Sequence, residues 1–235
     1  MPYGLRAGKR PYVDYLYSLR VAGPSPRRGV RNFNVLYADA GLLTRTFDVE
    51  ELLGAFDDHI PLHVAASART RVFVHAGAVG WKGRAIVVPG ESRSGKTSLV
   101  AALVEAGATY YSDEYALLDD RGRVHPYLAP LSVRDGDGSG AQLLTPEELG
   151  GKSGKTPIPV GAVVVTRYRE GARWRPRRIS PGRGVLELLG NTVPARIRPA
   201  AVMPVLRQVA SEAEVLKGVR GEAGPVAEGI LERLG

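Results

Sequence analysis

Cysteine is absent from this chain, so neither a disulfide framework nor a thiolate-bound metal is open to it. No uncharged apolar run approaches the roughly 18 residues that a membrane-spanning helix requires. The opening stretch MPYGLRAGKRPYVDYLYSLR carries no apolar core of signal-peptide length. These absences lead us to expect a soluble, cytoplasmic protein with no membrane partner. Neither an internal repeat nor a low-complexity tract stands out. Acidic side chains, at 24, are outnumbered by 32 lysines and arginines, which gives a formal net charge of +8. Solvated basic faces on an arginine-rich surface explain that balance better than nucleic-acid binding does. The densest cluster, Arg173-Trp174-Arg175-Pro176-Arg177-Arg178, lies between two strand-like segments. It reads either as an exposed turn or as a grip for an acidic partner.

What is present points to an α/β protein. Hydrophobic residues fill 44% of the 235 positions, enough for a sizeable core in one large domain with a small appendage. The pattern divides into a small N-terminal α/β portion, 1–70, packed on a core of 71–235. In the first portion, Tyr12–Leu19, Asn34–Tyr37 and Leu43–Phe47 read as strands, with a turn at Asp39-Ala40-Gly41. Asp48 is placed to cap a helix that Glu51 would complete as a capping box, and 62–67 continues the helical packing.

In the core, Arg71–Val79 and Arg84–Val88 are apolar strands separated by a turn at Trp81-Lys82-Gly83. Thr97–Ala106 is an alanine- and leucine-rich helix that Gly107 ends, and Thr109–Tyr111 is a third strand. Strand, loop, helix, strand is the order of a doubly wound nucleotide-binding core. Farther on, Tyr115–Leu118 and Arg123–Tyr127 flank a turn at Asp119–Gly122 as a hairpin. Residues 135–157 read as a mobile loop around a short helix near Pro146–Leu149. Val160–Tyr168 and Glu214–Lys217 are strands, and Val185–Leu189, Ala200–Ala210 and Val226–Leu234 are helix-like.

Between the second strand and its helix stands Gly90-Glu91-Ser92-Arg93-Ser94-Gly95-Lys96-Thr97, followed by Ser98. This is a complete phosphate-loop pattern in the context that supports it. A helix N-terminus offers unsatisfied N–H groups to phosphate oxygens. Gly90 and Gly95 let the backbone wrap closely, Lys96 reaches the β- and γ-phosphates, and the Thr97 hydroxyl ligates magnesium. Gly151-Lys152-Ser153-Gly154-Lys155-Thr156 imitates the pattern, but Leu149 stands where it needs glycine. No apolar strand leads in and Pro157 blocks a helix, so this second stretch is expected to be a loop.

Asp113, carried on the end of the third strand, is the expected metal-supporting carboxylate. Its neighbour Glu114 allows a division of labour, one acid for the metal and one to take a proton from an attacking hydroxyl. The plain alternative is a solvated acidic turn. His75 on its own reads as an ordinary core histidine of an apolar strand. Arg134 is placed to stabilise charge on the phosphates, or to sit on the surface.

In combination, His75, the loop opening Gly90-Glu91-Ser92 and the pair Asp113-Glu114 resemble the HPr kinase/phosphorylase catalytic domain. Three elements agree in order and spacing across about residues 71–134. The resemblance implies a fold shared with phosphoenolpyruvate carboxykinases and phosphorylation of a serine hydroxyl. It implies Glu114 as the base, Asp113 and Thr97 as metal partners, and His75 near the reacting phosphates. Glu114 stands where that family usually has aspartate, and the portion before His75 is shorter than the family's N-terminal domain. The family's second signature, used to hold its protein substrate, is missing. The chain therefore looks like a short, divergent relative, a type that occurs among peptide-tailoring enzymes, including kinases of lasso peptide precursors.

The expectation is a kinase that uses ATP or another nucleoside triphosphate with Mg²⁺. Its acceptor would be a serine-containing peptide, protein or small molecule, recognised by the 135–157 loop with the basic cluster. A homo-oligomer is compatible with this reading. A nucleotide-binding scaffold, or a nucleoside triphosphatase with little transfer activity, is the competing reading.

Overall fold

The computed structural model describes residues 11–23, 31–90, 94–134 and 141–235. The chain forms two compact units, Met1–Val64 and Ala65–Gly235, and the change falls in the last turns of a helix. In the first unit, β1 (Tyr17–Arg20), β2 (Asn34–Ala38) and β3 (Gly41–Thr46) make an antiparallel sheet in the order β1-β2-β3. The first strand starts five residues later than the sequence suggests. Asp39 adopts a left-handed φ of 49°, and its carboxylate accepts the Leu16 N–H at 2.9 Å. That contact holds the chain ahead of β1.

The helix α1 (Val49–Ser67) is continuous through Pro61. Asp48 caps it as expected, accepting the Glu50 N–H at 2.9 Å. The capping box closes differently from the expected form. The Asp48 N–H goes to the Thr46 hydroxyl at 3.1 Å, and that hydroxyl in turn donates to the Glu51 carboxylate.

The second unit is a mixed α/β structure around a mixed sheet. Its long central strand is β4 (Val72–Trp81), joined through a tight turn to β5 (Arg84–Pro89). Lys82 and Gly83 both have positive φ in that turn, which matches the two-residue hairpin geometry. Next come α2 (Lys96–Glu105), β6 (Thr109–Ser112), β7 (Tyr115–Leu118) and β8 (Arg123–His125). Asp119 builds the β7–β8 turn by accepting the N–H groups of Arg121 and Arg123 at 3.0 and 2.9 Å.

The later strands are β9 (Leu131–Arg134), β10 (Ala141–Leu144), β11 (Lys152–Ser153), β12 (Ile158–Tyr168), β13 (Arg177–Arg178) and β14 (Glu214–Arg220). Among them lie α3 (Pro181–Leu189), a 3₁₀ turn at Val193–Arg196, α4 (Pro199–Glu212) and α5 (Ala223–Arg233). Side by side, the sheet runs β11, β6, β4, β5, β12, β14, β13. β7 and β8 make a second route from β4 to β12.

The stretch expected to be one loop, 135–157, is therefore only partly a loop. β9 and β10 pair antiparallel, Lys152-Ser153 adds a parallel edge strand beside Thr109-Tyr110, and 146–150 forms turns rather than a helix. Residues 135–140 lie outside the described residues. The turn and strand residues were hard to anticipate because their partners are distant in sequence.

Helices cover both faces of the sheet. One core joins Val74, Ala78, Val87 and Val163 to α3 and α4 through Leu188, Leu206 and Val209. The other joins Ile86, Val88 and Val164 to α2 and α5 through Leu99, Leu103, Ala227 and Ile230. Leu99 and Leu103 have no exposed surface, and each contributes about 1.5–3 kcal/mol of burial that fixes α2 against the sheet. Gly77 makes that close approach feasible, because a Cβ there would lie 2.3 Å from Val100 Cγ2. Among the described residues no helix is long and apolar enough to cross a membrane.

Candidate functional site

The site is organised by β4. Along one edge, Val72 to His75 pair with β7 and Ala78 to Gly80 with β6; along the other, Ala76 to Trp81 pair with β5. Where β7 gives way to β6, the His75 carbonyl accepts the Gly90 N–H at 3.3 Å, and the Ala76 N–H donates to the Glu114 carbonyl at 3.2 Å. The His75 N–H donates to the Asn191 carbonyl at 2.7 Å. Three segments distant in sequence thus meet at His75: the start of the glycine loop, the acidic pair and the end of α3.

Asp113 and Glu114 are held by Ser112, which is fully buried. Its hydroxyl accepts the N–H groups of Glu114 at 3.2 Å and Tyr115 at 3.0 Å, a local turn that ends β6 and starts β7. Asp113 is buried and its Oδ2 accepts the Thr97 hydroxyl at 2.7 Å. Its Oδ1 is also buried and has no hydrogen-bond partner among the described residues. Burial pushes the Asp113 carboxyl up to about 6, although the Thr97 hydroxyl and the Lys96 ammonium pull the other way.

Lys96 begins α2 and is 8% exposed. Burial lowers its pKa, while Asp113 and Glu114 act to raise it. His75 is lowered to about 4, first by burial and then by the Lys96 charge, so its imidazole is neutral at pH 7. The site therefore gathers an ammonium, a neutral imidazole, a hydroxyl and two carboxyl groups.

Gly95 stands at the N-terminus of α2 with φ 80°, and among the described residues no side chain caps that end. The leading N–H groups of the helix are left for a ligand, as in anion sites at helix N-termini. Gly90 packs on Ser94, where a Cβ would lie 2.6 Å from the Ser94 hydroxyl. Thr97 is half-buried and Ser98 exposed. Glu91, Ser92 and Arg93 lie outside the described residues. Arg134 ends β9, and its side chain also lies outside them.

Some contributing residues were not legible in sequence. Arg220, at the end of β14, is 2% exposed and donates to the Gly95 carbonyl at 2.6 Å and the Gly221 carbonyl at 2.9 Å. It braces the loop from a strand 125 residues later. Tyr115 and Tyr127 also stand at the site, with ring centroids 6.0 Å apart, and the Tyr115 ring lies 5.8 Å from that of His75. Burial, with Glu114 nearby, raises the Tyr127 hydroxyl to about 12. Asn191, unlike these, was legible: Asn191-Thr192 between helices reads as a helix cap or a substrate contact, and the Asn191 side chain caps α3 by donating to the Glu187 carbonyl at 2.9 Å while its backbone anchors His75.

The two regions expected to share acceptor recognition do not lie together. Lys152-Ser153 forms one edge of the sheet beside β6, and Arg177-Arg178 forms the opposite edge beside β14. The basic cluster is further divided: Arg175 and Arg177 line a cleft at the loop, Arg178 lines a separate pocket, and Trp174 packs on the α2–α5 core.

No protein-family model matches the chain, and no curated protein matches it significantly.

Proposed function

We propose that this chain is a magnesium- and nucleotide-dependent kinase of the HPr kinase-like phosphate-loop type. It would transfer a γ-phosphoryl group to a hydroxyl, in particular a serine hydroxyl, of a peptide, protein or small molecule. The observation that carries the reading is the meeting of Thr97 with Asp113 at 2.7 Å beside the buried Lys96. A hydroxyl from the loop and a carboxylate from the next strand are what a phosphate-loop magnesium site requires.

The donor set fits magnesium. Asp113 keeps one buried oxygen without a partner among the described residues, and Thr97 supplies the second oxygen. Among the described residues no group of three or more His, Cys, Asp or Glu gathers around a point. Magnesium does not need one, since it is commonly held by one or two carboxylates, water and substrate phosphates. Thr97 and Asp113 would hold it there, and its charge would offset that of the phosphates.

The chain's own groups then divide the work. Lys96 and the N-terminus of α2 bind the phosphates, and Arg220 keeps the loop from opening by holding the Gly95 carbonyl. Glu114 takes the proton of the attacking hydroxyl as its oxygen bonds to the γ-phosphorus and the bond to the leaving diphosphate breaks. His75, being neutral, can hydrogen-bond a phosphate oxygen without adding a competing cation.

A labelled γ-phosphate transfer assay tests this, using free serine and serine-containing peptides as acceptors. Transfer by the wild type that disappears in both Lys96→Ala and Glu114→Gln is the expected result. Transfer that survives Lys96→Ala would overturn the proposal. Rapid nucleotide hydrolysis that no acceptor accelerates would replace it with a hydrolase.

A further inference from the structure

We infer that the cleft over β12 and β14 receives the nucleoside end of the donor, so that Arg175 and Arg177 hold the donor rather than the acceptor. This rests on the kinase reading above. A nucleoside triphosphate lying in the loop has two ends. Its transferable end must reach Lys96, Asp113 and Glu114, and those acids follow β6, which lies beyond β4 from the loop strand β5. The other end must leave on the opposite side, over β12 and β14.

A cleft of about 710 Å³ stands there, and it touches the loop at Gly90 and Ser94. That volume is within the range of small-ligand pockets. The position, outside the carboxyl ends of parallel strands, is where open α/β sheets commonly bind nucleotides. Its charged lining is unbalanced. The carboxylate of Glu187 is paired with Lys217, while Arg167, Arg175 and Arg177 have no ion-pair partner among the described residues. Leu186, on the same wall, is 66% exposed.

Free guanidinium planes beside an exposed apolar side chain suit a planar heterocycle carrying phosphate. The plane stacks on the base and the charge meets the phosphate nearest the ribose. An acceptor has a different requirement, because its hydroxyl must reach Glu114 on the β6 side. The cleft also reaches Gly190 and Asn191 near His75, but Arg177 stands beyond β14, away from β6, and so serves a nucleoside better than an acceptor.

Calorimetric titration with Mg-ATP and with Mg-tripolyphosphate separates the two ends of the ligand. The wild type should bind ATP about tenfold more tightly than tripolyphosphate. Arg175→Ala/Arg177→Ala should remove most of that advantage, and Leu186→Ser should reduce it while leaving tripolyphosphate unaffected. All these side chains are exposed, so the variants should keep the wild-type melting temperature. Equal wild-type affinity for the two ligands, or a double variant that weakens both alike, would overturn the inference. Lys96→Ala tells its failure apart from that of the kinase reading. If tripolyphosphate binds through Lys96 but ATP binds no better, the nucleoside cleft alone falls. If neither ligand depends on Lys96, the phosphate loop falls too.

Discussion

Two stretches of this chain read Gly-Lys-Thr, at 95–97 and at 154–156, and the fold gives them different settings. The first stands at the carboxyl end of β5 and opens α2, so its backbone N–H groups face outward from a helix end. The second follows the two-residue edge strand β11 and runs into β12. It is tied down on β6: the Gly154 N–H donates to the Tyr110 carbonyl at 2.7 Å, and the Thr156 carbonyl accepts the Tyr111 hydroxyl at 2.8 Å. A phosphate suits the converging N–H groups of a helix start, and of the two stretches the first opens a helix while the second does not. Local composition is nearly the same in both; the strand before and the helix after decide the outcome.

The sharpest way to break the comparison is to exchange its lysines for alanine. Lys96→Ala should lower phosphoryl transfer by about a thousandfold, the scale of losing a preorganised charge at the reacting group. Lys155→Ala should leave the rate unchanged. Equal losses would mean that the second stretch also serves the reaction.

The two glycines should fail for different reasons. Gly95→Ala meets a left-handed φ of 80° and an Arg220 nitrogen 2.3 Å from the new Cβ. The strain is worth about 1–3 kcal/mol and falls on the loop, so nucleotide affinity should drop. Gly154→Ala would bring its Cβ within 2.4 Å of the Tyr111 ring. It should cost about 1–3 kcal/mol of folding stability through overpacking, with the affinity of the folded protein preserved. Denaturant melts and nucleotide titrations on both variants separate the effects.

The pH response isolates His75, which belongs to the first region only. Its folded pKa, about 4, is below the ordinary value of 6.5, so the unfolded chain binds the proton more readily. The associated stability is fully present above pH 6.5 and is lost as pH falls toward 4. Asp113 acts in the opposite sense: its folded pKa, raised from 3.8 to about 6, favours the folded state in acid and loses that advantage as pH rises through 6. His75→Asn should therefore flatten or reverse the acid-side decline in chemical-denaturation stability. A variant whose decline matches that of the wild type would refute the assignment.

The smallest expected effect belongs to Tyr111→Phe. Losing the hydroxyl that holds Thr156 should cost about 1 kcal/mol in stability. Nucleotide affinity should not change.

Much of the site was legible because its elements are local. The apolar run of β5, the glycine spacing and the helix-forming alanines and leucines of α2 each follow from near neighbours. The capping of α1 by Asp48 was legible for the same reason. Its closure through Thr46 was not, because that depends on where β3 ends. Composition identified 135–157 as rich in Gly, Asp, Ser and Pro, but β10 and β11 exist only through partners in β9 and β6. Arg220 carried no signal at all: an arginine near the end of a strand is ordinary until its guanidinium is found on the Gly95 carbonyl.

By itself, then, the sequence determined the order of strand, glycine loop, helix and strand in the second unit, and the residue types that meet at the loop. Those follow from periodicity, turn chemistry and spacing, which act over a few residues. Only the tertiary structure decided that β4 lies between β5 and β6, that His75 joins the loop to the acidic pair, and that the basic cluster and the β11 edge lie at opposite ends of the sheet. Strand order is set by which apolar faces can be buried together and which backbone groups remain to be paired, and both are properties of the whole fold.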